Sequence, residues 1–188
     1  MAAAAADAFP KPQLTAVDDE SINWETTLML VSHPTDAKGF LVPKASKRHS
    51  AFLNDLLAEG APGADEEKVI VPINGLAKQS VQAVAWFMTA FADEGKEPRA
   101  LDLPRPFPHA EIAPHVSPFE AKFAEELFPK VGTKDMKGLV GILHAANFLQ
   151  VKGLLILASV GLTFHFRGKT PTEIKDLMEN QEPLYESA

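Results

Sequence analysis

Six of the chain's fifteen prolines fall within the twenty-one residues from Pro98 to Pro118. Proline fixes φ and has no backbone N–H to donate, so a segment this rich in it can be neither a continuous helix nor a central strand. The 188 residues therefore divide into two blocks joined by a connector over residues 96–118. Ahead of it, residues 26–95 carry alternating strand and helix signals. Behind it, residues 119–166 and 167–188 carry helix signals only. The predicted class is α+β: a small sheet of about three strands packed with helices, then C-terminal helices. Residues 1–25 read as a disordered N-terminal extension.

The stretch "TTLMLVSHPTDAKGFLV", residues 26–42, predicts two short strands around a loop holding Pro34, Asp36 and Gly39, with Pro43 ending the second. Ser50 caps a helix whose Leu53, Leu56 and Leu57 share a face and which Gly60 closes. "APGADEE" is loop, and "KVIVPI" is a third strand that Pro72 pushes to an edge or to its end. A long helix follows with Leu76, Val84, Phe87, Met88 and Phe91 near helical spacing, closed by Gly95. Beyond the connector, Phe119, Phe123 and Phe128 turn inward on a short helix ended by Pro129. The next helix, capped by Thr133 or Asp135, contains "GLVGILHAANFL", apolar nearly all round and so expected to be buried. Gly138 and Gly141 in it each cost about 1 kcal/mol against Ala, which makes sense where another backbone packs closely.

Charge and composition exclude several classes. A formal charge of −7 argues against nucleic acid and anionic membrane as partners, because both want clustered Lys and Arg. With no cysteine there are neither disulfides nor thiolate metal sites. The start, "MAAAAADAFPKPQ", has no basic residue before Lys11 and no long apolar core, so it matches neither a secretory signal nor a transit peptide. The apolar run around 153–166 is too short and interrupted for a membrane span. An intracellular protein is expected, cytoplasmic and nuclear.

"FRGKTPTEIKDLM", residues 166–178, contains a Gly-Lys-Thr triplet that invites a phosphate-loop reading. That loop needs a first glycine where Thr163 stands, and Phe164, His165 and Phe166 are bulky where the cradle must be small. Helix punctuation explains more of these residues. Gly168 suits the left-handed position past a helix end, and Thr170 and Glu173 make a capping box around Pro171 in the first turn. Ile174, Leu177 and Met178 then give the following helix an apolar face. In "HAEIAPH", His109, Glu111 and His115 lie close in sequence, but the flanking prolines spoil a helical ligand face, and a solvated loop is the better reading. His144 and His165 read as locally satisfied histidines of apolar helices. No nucleophile elbow, zincin motif or thiol nucleophile is present. Neither catalysis nor a cofactor or metal is expected.

Three stretches together resemble the SKP family, the S-phase kinase-associated proteins that link cullins to F-box proteins in SCF ubiquitin ligases. They are "LMLVSHPTDAKGFLVPKASKRHSAFLNDLL", "VIVPINGLAKQSVQAVAWFM", and "LHAANFLQVKGLL" followed by "RGKTPTEIKDL". The likeness runs from about Thr26 to Met178 and is most specific in the last stretch. It implies a BTB/POZ-type domain followed by helices that cradle an F-box, and hence a non-catalytic adaptor in ubiquitin-dependent protein degradation. Elongin C, a relative, also carries "AANFL" but stops soon after it.

The family's cullin-facing Asn-Tyr pair falls on Asn147 and Phe148; the competing reading makes Phe148 core and Asn147 a helix-end residue. The F-box platform falls on Leu154, Leu155, Ile174 and Leu177. A homodimer through the BTB-like half is a further partner expectation. A scaffold outside ubiquitin ligases, of kinetochore or organelle-assembly type, is the alternative function. The chain departs from the family at Ile156, Val160 and Phe164, where Asp, Lys and Asn are usual. Spaced by four, these form one apolar stripe. Either the N-terminal extension with Trp24 or a dedicated partner covers it, or the helix rotates to bury it. Gln150 replaces an Asp N-cap, and Pro171 matches a proline that is hydroxylated in some protist relatives. After the GKTP helix the family continues into an acidic helix with a Trp; here Pro183 interrupts, and Tyr185 is the large aromatic that remains.

Overall fold

The computed structural model describes residues 10–59, 67–107 and 111–179. The expectations placed on Gly60, His109, Pro183 and Tyr185 lie outside these. Four strands form one sheet in the order β1–β3–β2–β4. They are β1 (Leu14–Ala16), β2 (Thr27–Val31), β3 (Lys38–Pro43) and β4 (Ile70–Pro72). β2 and β3 pair antiparallel, with Leu28 opposite Val42 and Leu30 opposite Phe40. β4 lies parallel to β2, so the chain between them must cross over. It does so through a 3-10 turn, Lys44–His49, and helix α1 (Ala51–Leu56). Leu28, Met29, Leu30 and Val31 are all buried, which is why the central strand reads as an uninterrupted apolar run. β4 is an edge strand ending at Pro72, as the proline requires.

Helix α2 (Lys78–Ala90) lies between the sheet and the C-terminal helices, and Trp86, Phe87 and Met88 in it are almost fully enclosed. The Trp86 and Phe87 rings join Phe91, Phe119 and Phe123, the last two on α3 (Pro118–Leu127). α3 opens on a capping box, Ser117 with Glu120. α4 (Lys137–Phe148), α5 (Lys152–Phe166) and α6 (Pro171–Glu179) complete the described chain. Ser50 caps α1 through Leu53 N–H and also donates its hydroxyl proton to the buried Leu149 carbonyl, tying the α/β half to the end of α4.

Several expectations are corrected. The sheet has a fourth strand, and it lies inside residues 1–25, the segment read as disordered. Ordering there comes from tertiary contacts: β1 pairs with β3, Gln82 donates to the Pro12 carbonyl at 2.8 Å, and Lys11 sits 2.7 Å from Glu126 and over the Trp86 ring. Gly39 belongs to β3, not to the loop before it. α2 ends at Ala90, and Gly95 occupies a later turn. Neither Thr133 nor Asp135 is the N-cap of α4; that residue is Met136, and the Asp135 carboxylate instead accepts from Lys137 N–H at 3.1 Å. The connector contains short 3-10 turns, Arg99–Asp102 and Ala113–His115. Of the two α4 glycines, Gly141 is packed tightly, a Cβ there lying 2.3 Å from the Ser80 Oγ, whereas a Cβ on Gly138 meets nothing.

Candidate protein-docking surfaces

At the C-terminus of α4, Asn147 and Phe148 are exposed, while Leu149 and Val151, which follow them, are buried. The chain turns between α4 and α5 at Gln150, which has a positive φ of 53°, uncommon for a residue with a side chain. With Leu149 and Val151 both anchored inside, the turn holds Phe148 outward. Phe148 is 44% exposed, and its ring centroid lies 5.3 Å from that of Phe52 on α1. An exposed phenylalanine resting on a half-buried one beside a carboxamide is chemistry suited to a protein contact. The core reading of Phe148 does not hold in this chain.

On α5 the buried face is Leu154, Leu157, Ala158, Gly161 and His165. Leu154 is fully enclosed by the chain's own core and offers no surface. Leu155 is half-buried. Leu162 and Phe166, which the sequence reading passed over, are half-buried too and stand seven and eleven residues on from Leu155, so the three share one flank of the helix. That spacing was legible, but an all-apolar helix gives no periodic contrast to pick it out.

The hinge into α6 is built as its residues dictate. Gly168 has φ 76°, the left-handed conformation open to glycine without a steric cost. The Thr170 hydroxyl accepts from Glu173 N–H at 3.3 Å, and the Glu173 carboxylate accepts from Thr170 N–H at 2.7 Å. The Thr170 N–H and the Thr170 hydroxyl, both donating to it, hold the Glu173 carboxyl below its ordinary pKa of 4.5. Pro171, the first residue of α6, is exposed. No residue of α6 is fully buried: Ile174 and Leu177 are half-covered and Met178 is 40% exposed. Leu177 and Asp176 face Gly132–Lys134 across a cleft of about 310 Å³.

The stripe Ile156, Val160 and Phe164 is half-buried. What approaches it is the connector, whose Phe107 ring meets Phe164 edge-on at 5.6 Å. Trp24 is elsewhere, near Lys68 at 5.8 Å. Of the remaining histidines, His144 is exposed rather than satisfied within its helix. His165 is 3% exposed. Its Nε2 donates to the Pro129 carbonyl at 3.2 Å, and its Nδ1 has no hydrogen-bond partner. Burial pushes its pKa below 6.5, against the opposing pull of the Pro129 carbonyl. Among the described residues no three His, Asp or Glu side chains are grouped to hold a metal, and no helix is long and apolar enough to cross a membrane.

This chain is similar to an S-phase kinase-associated protein 1 homolog. That protein is from Tetrahymena thermophila, and the two are 25% identical over 105 residues. The match covers 56% of this chain and 57% of the relative, so the chain spans little more than half of it. No protein-family model matches.

Proposed function

We propose that this chain is an SKP-type, BTB/POZ-like adaptor joining a cullin to an F-box-type substrate receptor in an SCF-like ubiquitin ligase. The observation that carries it is the pair of apolar surfaces left uncovered at separate places: Phe148 with Phe52 beside Asn147, and the flank of α5 continued by α6. The first is the cullin contact. The second takes the F-box, with Leu155, Ile174 and Leu177 as its contacts; Leu154 supports it from beneath. Aromatic anchors at such contacts cost about 2 kcal/mol or more when truncated. Phe148→Asp with Asn147→Lys should therefore abolish co-purification of a cullin and spare the F-box protein, while Leu177→Asp should do the reverse. Recovery of neither partner with the unaltered chain would end the reading.

The second reading, a scaffold outside ubiquitin ligases, is supported by the stripe at Ile156, Val160 and Phe164. Asn147→Lys separates the two, since a scaffold without a cullin tolerates it. Location in cytoplasm and nucleus, hydroxylation of the exposed Pro171, and self-association through the α/β half belong to the same proposal. Intact mass and size-exclusion chromatography test the last two.

A further inference from the structure

Between the connector and the outer side of α5 lies a cleft of about 470 Å³, within the roughly 300–1,000 Å³ range of sites that enclose a ligand. One wall is Leu103, Pro104 and Phe107; the floor is Ile156, Val160 and Phe164, with Leu155 at its edge. Two hydroxyls also line it, yet neither has a proton to offer. Ser159 donates to the Leu155 carbonyl at 2.7 Å and Thr163 donates to the Ser159 carbonyl at 2.8 Å. Bonded back to their own helix, both show mainly carbon to the cleft.

Among the described residues the single charged side chain lining the cleft is Arg105. It is exposed and makes no ion pair or hydrogen bond with any described residue. A guanidinium whose five donors meet no acceptor among the described residues, set beside an apolar trough, selects an occupant with greasy side chains and a carboxylate at one end. Net charge does not draw an anion to this chain, whose formal total is −7, so the attraction is local to Arg105.

We propose that this cleft docks an acidic, apolar peptide segment of a partner protein, its side chains on Ile156, Val160 and Phe164 and its carboxylate on Arg105. The proposal is independent of the adaptor reading and adds a contact beside the α6 platform, which it adjoins at Leu155.

A phage-displayed library of random peptides panned on the full chain tests it. The enriched sequences should combine Asp or Glu with spaced Leu, Ile or Phe. By fluorescence polarisation, Arg105→Glu should weaken them about tenfold or more, and a Glu-to-Lys peptide should recover the loss, because reversing both partners restores the attraction. Ser159→Lys, which fills the trough from an exposed position, should abolish binding. Asn147→Lys should change nothing, so a failed adaptor reading leaves this result standing. No enriched peptide, or binders equally tight on Arg105→Glu and Ser159→Lys, would overturn the proposal. Unchanged melting of both variants guards against misfolding, and the charge swap decides the matter if Ser159→Lys is unstable.

Discussion

Replacing two glycines by alanine should move stability in opposite directions. Gly153 stands in the first turn of α5, and a Cβ added there would lie 2.8 Å from both Cβ and Cγ of the Pro98 ring, with the Phe87 ring tip 3.5 Å away. Pro98 is buried at the start of the connector, and its ring cannot swing aside as a free side chain can. Overpacking of this kind costs about 1–3 kcal/mol, and two rigid atoms inside 3 Å place Gly153→Ala near the top of that range. Alanine returns at most about 1 kcal/mol of helix propensity. The net loss is about 2 kcal/mol, which at about 2–4 °C per kcal/mol for a chain of this size lowers Tm by about 4–8 °C. Gly138 in α4 is the control. A Cβ there meets nothing, so Gly138→Ala keeps the propensity gain and raises Tm by about 2–4 °C. Urea titration followed by fluorescence of the enclosed Trp86, with calorimetry alongside, reads both. If Gly153→Ala stabilised as much as Gly138→Ala, the close approach of α5 to the connector would be wrong, and with it the walls of the cleft.

Two pH responses follow with definite sign. The Glu173 carboxyl is held below 4.5 by the Thr170 N–H and hydroxyl, so its support of α6 is present above 4.5 and fades as pH falls through the lowered value. Hydrogen exchange at residues 171–179 should quicken there while the core stays protected, and Thr170→Ala should show the fast rate already at neutral pH. His165 is held below 6.5 by burial; its contribution is complete above 6.5 and lost as pH falls through the folded value, because protonation puts a second N–H where no acceptor stands. The urea midpoint of the unaltered chain should therefore fall more on acidification than that of His165→Gln. The half-buried His49 shifts in the same direction and is common to both proteins, so it cancels in the comparison. Equal pH dependence of the two would show that His165 protonates freely.

The features readable in advance were those whose causes lie within a few residues of one another. The Gly168 turn, the Thr170–Glu173 box and the Ser50 cap are short-range hydrogen-bond and φ preferences, and they operate whatever surrounds them. The LMLV strand announced itself because both its faces are buried. β1 gave no such sign: three residues of no distinctive pattern become a strand only because Phe40, far along the chain, is there to pair with Leu14.

α5 marks the boundary most clearly. Its residues are apolar around nearly the whole circumference, so periodicity cannot say which side goes inward, and Leu154 and Leu155, adjacent in sequence, have opposite fates. Packing chose between them: α4 and the connector reach α5 from particular directions, enclosing Leu154 and leaving Leu155, Leu162 and Phe166 half open. The same packing brought Phe107 onto Phe164 and set Arg105 at the mouth of a cleft, unpaired among the described residues. Bonds and φ angles between neighbouring residues are written locally; which greasy surface is covered, and by what, is settled only when distant segments meet.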